Sequence, residues 1–247
     1  MQNFKIGIQL YTLREQLNDN FHSCLKKLAA MGYDGVEFAG IYGGLNPEQL
    51  AEELRELGLS ACGMHLPVTA IADKNSDAYR YAKAINCKYL VTSLAGCFTS
   101  EFARVVEDCI EAGRVAAEQG LQFVYHNHAQ EFQQINGKCV LDLFYEQTPA
   151  IQVKAELDVY WIKKGGEDPV AYVKKYAARL PLIHLKDMDG TDGSFAAVGS
   201  GVIDFPGIID VAYDSAAEWV IYEQDSCPCS PLECARTSIE NIRKFAK

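Results

Sequence analysis

Asn46-Pro47-Glu48-Gln49-Leu50-Ala51-Glu52-Glu53-Leu54-Arg55-Glu56-Leu57-Gly58-Leu59-Ser60-Ala61-Cys62-Gly63-Met64-His65 holds a complete helix-then-strand unit. Asn46 is a capping residue type and Pro47 suits a first helical turn, where no amide proton is needed. Leu50, Leu54 and Leu57 recur at a spacing that puts them on one helical face, and Gly58 tolerates the left-handed conformation that ends a helix. The short apolar run Ala61-Cys62-Gly63-Met64-His65 then reads as a buried strand that finishes on a polar side chain.

The same unit recurs on both sides. Leu17, Phe21, Leu25 and Leu28 form a helical face that stops at Gly32, before Gly35-Val36-Glu37-Phe38. A third helix ends at Asn86 before Lys88-Tyr89-Leu90-Val91-Thr92-Ser93. A fourth, through Val105, Val106, Cys109 and Ile110, ends at Gly120 before Leu121-Gln122-Phe123-Val124-Tyr125-His126. Adding Phe4 to Leu10, Ile151 to Asp158, Leu180 to Lys186 and Trp219 to Glu223 predicts eight strands, each separated from the next by enough chain for a crossover. Strands joined by crossover helices are parallel, and eight of them close most naturally as a (β/α)8 TIM barrel of the α/β class. An open doubly wound sheet would usually carry a glycine-rich turn after its first strand, where this chain has Gln9-Leu10-Tyr11-Thr12. No linker or low-complexity stretch interrupts residues 1–247, so a single barrel domain is predicted.

With 23 basic against 33 acidic residues the net charge is −10, and no Lys/Arg run offsets it, which argues against nucleic acid and anionic membranes as partners. The N-terminal residues lack the pattern of a secretory signal, and no uninterrupted apolar run has the length of a bilayer span. Nine cysteines (Cys24, Cys62, Cys87, Cys97, Cys109, Cys139, Cys227, Cys229 and Cys234) include no C-x-x-C pair, which fits reduced thiols in the cytoplasm. Cys227-Pro228-Cys229 is closer than the usual zinc spacing and reads as a loop coincidence.

Barrel enzymes carry their chemistry where strands end at the C-terminal mouth. Here those ends read Gln9 and Tyr11, Glu37, His65, Ser93, His126-Asn127-His128, Asp158, His184 with Lys186, and Glu223 with Asp225. Four of the five histidines fall on this series, the exception being His22. Imidazole and carboxylate converging in one mouth suit a single divalent ion such as manganese, zinc, cobalt or magnesium. Asp158, His184 and Glu223 end neighbouring strands and can share it, with Glu131 as the best fourth ligand. Lys186, two residues after His184, faces the same side of its strand. Each acidic or imidazole group alone has a plainer reading as a strand-end cap. Trp161 reads either as packing or as an apolar wall for a bound ring, and Gly199-Ser200-Gly201 as a mobile loop or a phosphate cradle.

Taken in order, Gln9-Leu10-Tyr11-Thr12-Leu13-Arg14, Val36-Glu37, Tyr125-His126-Asn127-His128 with Glu131-Phe132, Leu157-Asp158 with Trp161, His184-Leu185-Lys186-Asp187, Gly199-Ser200-Gly201-Val202-Ile203-Asp204 and Glu223-Gln224-Asp225 span nearly the whole chain. This series resembles the sugar phosphate isomerase/epimerase group with the xylose-isomerase-like barrel. The resemblance implies a Glu, Asp, His, Glu metal site, carried here onto Glu131, Asp158, His184 and Glu223, and substrate contacts from Glu37, His65, His128 and Lys186. One departure stands out: ketose epimerases of the group carry their first metal-binding Glu on strand five, where this chain has Tyr125, His126 and His128. His126 or His128 is therefore an alternative first ligand. The subgroup with the His-Asn-His motif looks like one that includes lyases and dehydratases acting on keto sugars.

The expected chemistry is proton abstraction beside a metal-polarised carbonyl of a small carbohydrate, giving an enediolate. Reprotonation yields an epimer or isomer, and loss of a β-leaving group a dehydration or glycoside elimination; the residues do not choose between them. His128 and Glu131 are the base candidates, with Lys186 and Glu223 as further catalytic groups. Glu37, His65, His126, Tyr11 and Trp161 are expected around the substrate. Two other function classes remain: an endonuclease of the same superfamily, disfavoured by the charge and by too few ligands for three zinc ions, and a metal-free sugar-binding protein. A homo-oligomer is compatible with all three.

Overall fold

The computed structural model describes residues 4–94 and 98–246; the first three residues read for a signal, and Cys97, lie outside the described residues. Eight parallel strands form the barrel: β1 (Lys5–Gln9), β2 (Gly35–Phe38), β3 (Ser60–His65), β4 (Tyr89–Thr92), β5 (Gln122–His126), β6 (Val153–Asp158), β7 (Leu182–Leu185) and β8 (Trp219–Tyr222). Each pairs with its chain neighbours, and β8 pairs with β1 to close the sheet. Among the described residues seven outer helices carry the crossovers, α1 (Arg14–Met31), α2 (Pro47–Leu57), α3 (Asp77–Ala84), α4 (Phe102–Glu118), α5 (Val140–Gln147), α6 (Pro169–Lys175) and α7 (Phe205–Tyr213), and α8 (Pro231–Phe245) follows β8, with shorter helical turns and two small hairpins between. No helix among the described residues is long and apolar enough to cross a membrane.

The punctuation works as the sequence predicts. Gly32 and Gly58 take left-handed conformations after α1 and α2, and Asn46 and Gln49 form a reciprocal capping box at the start of α2. One difference lies inside α1, which breaks at Asn20 (φ −158°, ψ 90°); its side-chain oxygen accepts from the Ser23 amide and so caps a new segment within the predicted helix.

Two apolar layers result. The larger lies between strands and helices, and the smaller, Cys62, Tyr89, Val91, Val124, Leu182, Trp219 and Ile221, plugs the barrel interior. Trp219 fits inside because its neighbours are glycines: a Cβ on Gly35 would lie 2.8 Å from its ring and 2.5 Å from the Ser60 carbonyl oxygen. The alternation of strand side chains carries the interior upward from this plug. Above Trp219 and Ile221 comes Glu223, above Leu182 come His184 and Lys186, and above Val124 comes His126. On β6 the same parity turns both Glu156 and Asp158 inward. Parallel register sets His126 beside Glu156 and Asp158 beside His184. Between β2 and β3 the register shifts, Val36 pairing with Ala61 but Glu37 with Gly63. This bulge resets the alternation, so Cys62 joins the plug while His65 still reaches the mouth.

Candidate active site

Two tiers of polar side chains sit on the plug. In the lower tier, Glu156 Oε2 lies 2.9 Å from His126 Nδ1 and 3.1 Å from His65 Nε2, and Glu156 Oε1 is 3.3 Å from His184 Nε2. Glu37 Oε2 lies 2.8 Å from His184 Nε2 and 3.1 Å from His65 Nε2, and accepts from the Gln9 amide at 3.2 Å. In the upper tier, His184 Nδ1 is 2.9 Å from Glu223 Oε2, and His126 Nε2 is 3.7 Å from Asp158 Oδ2. The Lys186 ammonium joins the upper carboxylates, 2.8 Å from Glu223 Oε2, 2.9 Å from Asp225 Oδ1 and 3.2 Å from Asp158 Oδ2.

Asp158 does two things. Its Oδ1 accepts from the amides of Tyr160 and Trp161, capping the helical turn Val159–Lys164, which is the plain strand-end role. Its Oδ2 is buried without a hydrogen-bond partner and turns toward the upper tier. The ligand atoms of His126, Asp158, His184 and Glu223 all lie within 4.8 Å of one another, as do those of the lower set His65, His126, Glu156 and His184.

The charge balance is lopsided. Glu37, Glu156 and Asp158 are fully buried and Glu223 is 4% exposed, against one equally buried ammonium, Lys186. The imidazoles absorb part of the excess. Burial would lower the pKa of His65, but Glu37 and Glu156 outweigh it and hold the ring at about 10. His184 is raised against the same burial cost by Glu156 and Glu37. His126 goes the other way, with burial as the main cause. Burial pushes Asp158 up to about 6 although Lys186 and His184 oppose it. Burial tends to raise Glu223 too, yet Lys186 and His184 hold it well below the usual carboxylate range. Lys186 itself is raised, because Asp158, Glu223 and Asp225 outweigh its burial.

A cavity of ≈ 320 Å³ opens above these tiers, lined among others by Tyr11, His65, Ser93, His126, His128 and Lys186. His128 is held down to about 4, first by burial and then by Lys186, and its Nδ1 is buried without a partner. The His128 ring centroid lies 5.4 Å from that of Trp161, and the Lys186 ammonium 5.6 Å from the Trp161 centroid, so Trp161 flanks both groups. Tyr11 is 43% exposed at the rim, with the Arg14 guanidinium 4.3 Å over its ring.

Glu131 stands apart from the other sequence-predicted ligands. It falls on a 3₁₀ turn beyond β5, where Oε1 accepts from the Tyr125 hydroxyl (2.8 Å) and Oε2 from the His128 amide (3.0 Å), and it belongs to neither ligand cluster. Its burial pushes it up to about 7. His126, the alternative ligand, occupies the strand-five position instead. Glu131→Gln should therefore keep full metal stoichiometry: the glutamine oxygen can still accept from the His128 amide while its NH₂ donates to the Tyr125 oxygen. Denaturant unfolding should stay within about 1 kcal/mol of wild type. Loss of metal in this variant would restore Glu131 as a ligand.

The Gly199-Ser200-Gly201 amides are already engaged. Asp187 Oδ2 accepts from Gly199 (2.9 Å) and Gly201 (2.7 Å), so an internal carboxylate occupies the place where the phosphate-cradle reading put a ligand. Glu156 is the residue that strand-end reading misses. It lies two positions before Asp158, and the alternation of an extended strand was the signal that could have found it.

Residues 25–245 match the xylose isomerase-like TIM barrel family. An inosose dehydratase of Clostridium beijerinckii is 25% identical over 92% of this chain and 90% of its own length. A sugar phosphate isomerase/epimerase from Parabacteroides distasonis superposes with a TM-score of 0.85 at 23% identity, covering 99% of this chain and 96% of that one. The IOLI protein, solved with a zinc atom bound, superposes with a TM-score of 0.76 at 15% identity over 98% of both chains. The closed eight-stranded barrel and the match along most of its length together make this chain a member of the xylose isomerase-like TIM barrel family.

Proposed function

We propose that this protein is a divalent-metal-dependent enzyme that removes a proton next to a ketone of a small polyhydroxylated substrate and eliminates water. The observation that carries this reading is the upper tier: two imidazole nitrogens and two carboxylate oxygens within reach of one point, one of them Asp158 Oδ2, which accepts no hydrogen bond and has the Lys186 ammonium 3.2 Å away, below an open cavity. That donor set suits manganese, zinc or cobalt. His126, Asp158, His184 and Glu223 would hold the ion. The lower tier fits it as an outer shell, since metal-binding imidazoles usually give their second nitrogen to a carboxylate, the relation Glu156 has to His126 and both lower carboxylates have to His184. The Lys186 ammonium, lodged between Asp158 and Glu223, acts as a partial substitute for that charge.

An ion in this tier supplies Lewis-acid polarisation of a substrate carbonyl. The chain's own groups do the rest. His128 is neutral at pH 7 and lines the cavity, and its Nδ1 has no hydrogen-bond partner, so the ring can take the proton from carbon. Lys186 stays charged and can hold the substrate oxygen on which negative charge develops, or protonate a departing hydroxyl. Trp161 supplies an apolar wall beside both. The elimination branch draws support from the inosose dehydratase relative, and a barrel shared with a sugar phosphate isomerase/epimerase keeps epimerisation as the second reading.

Incubating the manganese-loaded protein with a panel of inososes and ketoses in D₂O separates the two. Elimination is read as a product lighter by one water. Deuterium gained at carbon without that mass loss would favour the epimerase, and neither change on any ketone would overturn the reading.

Two further results are expected. Glu156→Gln should weaken manganese binding about 10- to 100-fold in titration calorimetry, because it loosens His126 and His184 without removing a ligand. An unchanged affinity would deny Glu156 this part. Ligands must lose their protons before a metal binds, and Asp158 is pushed up to about 6. Below that pH the carboxyl takes up a proton in the metal-free protein, so apparent affinity should fall about tenfold or more per pH unit; a flat profile from pH 5 to 7 would contradict the assignment.

A further inference from the structure

Behind the mouth, the chain runs from Asp225 through Ser226-Cys227-Pro228-Cys229-Ser230 into α8, whose first turn carries Cys234. The Cys229 thiol is exposed and the Cys234 thiol buried, and their sulfurs lie 3.2 Å apart. A disulfide needs about 2.05 Å, so a movement of roughly one ångström would join them. A separate cleft of ≈ 250 Å³, lined by Thr12, Arg14, Asp225, Cys227, Cys229 and Pro231, brings solvent to Cys229. The reaction described above uses none of these sulfurs, and this cleft meets the catalytic cavity at Asp225, the partner of Lys186.

We propose that Cys229 and Cys234 form a reversible disulfide, an oxidation site that ties the Asp225 segment to the first turn of α8. With hydrogen peroxide as oxidant the steps balance. The Cys229 sulfur, as thiolate, attacks one peroxide oxygen; the S–O bond forms, the O–O bond breaks, and the second oxygen leaves as hydroxide and is protonated to water. The Cys234 sulfur then attacks the Cys229 sulfur; the S–S bond forms, the S–O bond breaks, and the hydroxide leaves with the Cys234 proton as a second water. Two thiols are oxidised by two electrons and the peroxide is reduced to two waters. Exposure makes Cys229 the sulfur that meets the oxidant, and contact makes Cys234 the one that resolves it. Burial, which pushes Cys234 up to about 12, keeps it a thiol until then.

The test treats the full-length protein with hydrogen peroxide, alkylates the remaining thiols and maps them by mass spectrometry. The expected result is a peptide two hydrogens lighter with Cys229 and Cys234 both protected, restored by dithiothreitol and still formed in Cys227→Ala. In Cys234→Ser a dimedone adduct should appear on Cys229, and in the oxidised wild type amide exchange should slow over residues 225–230. Three outcomes would overturn the proposal: both thiols staying open to alkylation, Cys227 taking either place in the bond, or Cys229 proceeding to sulfinic acid with Cys234 intact. Unchanged exchange over 225–230 would overturn the coupling to the Asp225 segment.

Discussion

Replacing Asp158 with asparagine is expected to abolish stoichiometric metal binding while leaving the barrel folded. The two oxygens of Asp158 separate the roles. The asparagine oxygen can keep the cap on Val159–Lys164 by accepting from Tyr160 and Trp161 as Oδ1 does. The amide nitrogen then stands where Oδ2 faced His126 and Lys186, with no lone pair for a cation. Loss of an outer partner of a metal site typically costs about 10- to 100-fold in affinity, and loss of a direct ligand should exceed that, about 100-fold or more. Denaturant unfolding of the metal-free variant should fall by no more than about 1–3 kcal/mol, the cost of an ill-matched buried polar pair. Calorimetric titration with manganese checks the first part, and a variant that binds as tightly as wild type would remove Asp158 from the site.

Lys186→Met should show the opposite pattern: a metal-free protein weakened by about 3–5 kcal/mol, with the deficit shrinking when manganese is added. The ammonium touches Asp158, Glu223 and Asp225 at 3.2 Å or less, and it is 2% exposed. Taking it away leaves Asp158, Glu223 and Asp225 facing one another with the His184 ring beside Glu223 as the remaining counter-charge. A divalent ion in the upper tier restores the lost charge, so apparent manganese affinity should rise as turnover falls. Urea titrations with chelator and with manganese measure both effects. Equal destabilisation in the two conditions would mean that Lys186 and the metal do not answer to the same carboxylates.

The fold was legible because its punctuation is local. Gly32, Gly58 and Gly120 end helices at positions where only a residue without Cβ enters the left-handed region easily, and all three have positive φ. Apolar periodicity between those stops did the rest. The break at Asn20 was not legible, since Leu17 and Phe21 keep helical spacing across it and the competing cap is one side-chain bond. The site was legible in its outline: His126, Asp158, His184, Lys186 and Glu223 sit at strand ends and meet in the mouth. What escaped depends on parity and register. Glu156 follows from Asp158 by alternation, but the bulge between β2 and β3 that keeps His65 in the mouth has no signature in either strand. The family resemblance assigns Glu131 to the metal, while the turn after β5 gives its oxygens to Tyr125 and His128.

The most direct measurement is a crystal structure of the manganese-loaded protein with anomalous data at the metal edge. A single peak per chain bounded by His126 Nε2, Asp158 Oδ2, His184 Nδ1 and Glu223, with Glu156 on the far nitrogen of His126, is the expected result. A peak in the lower set among His65, His126, Glu156 and His184, or no peak at all, would contradict it.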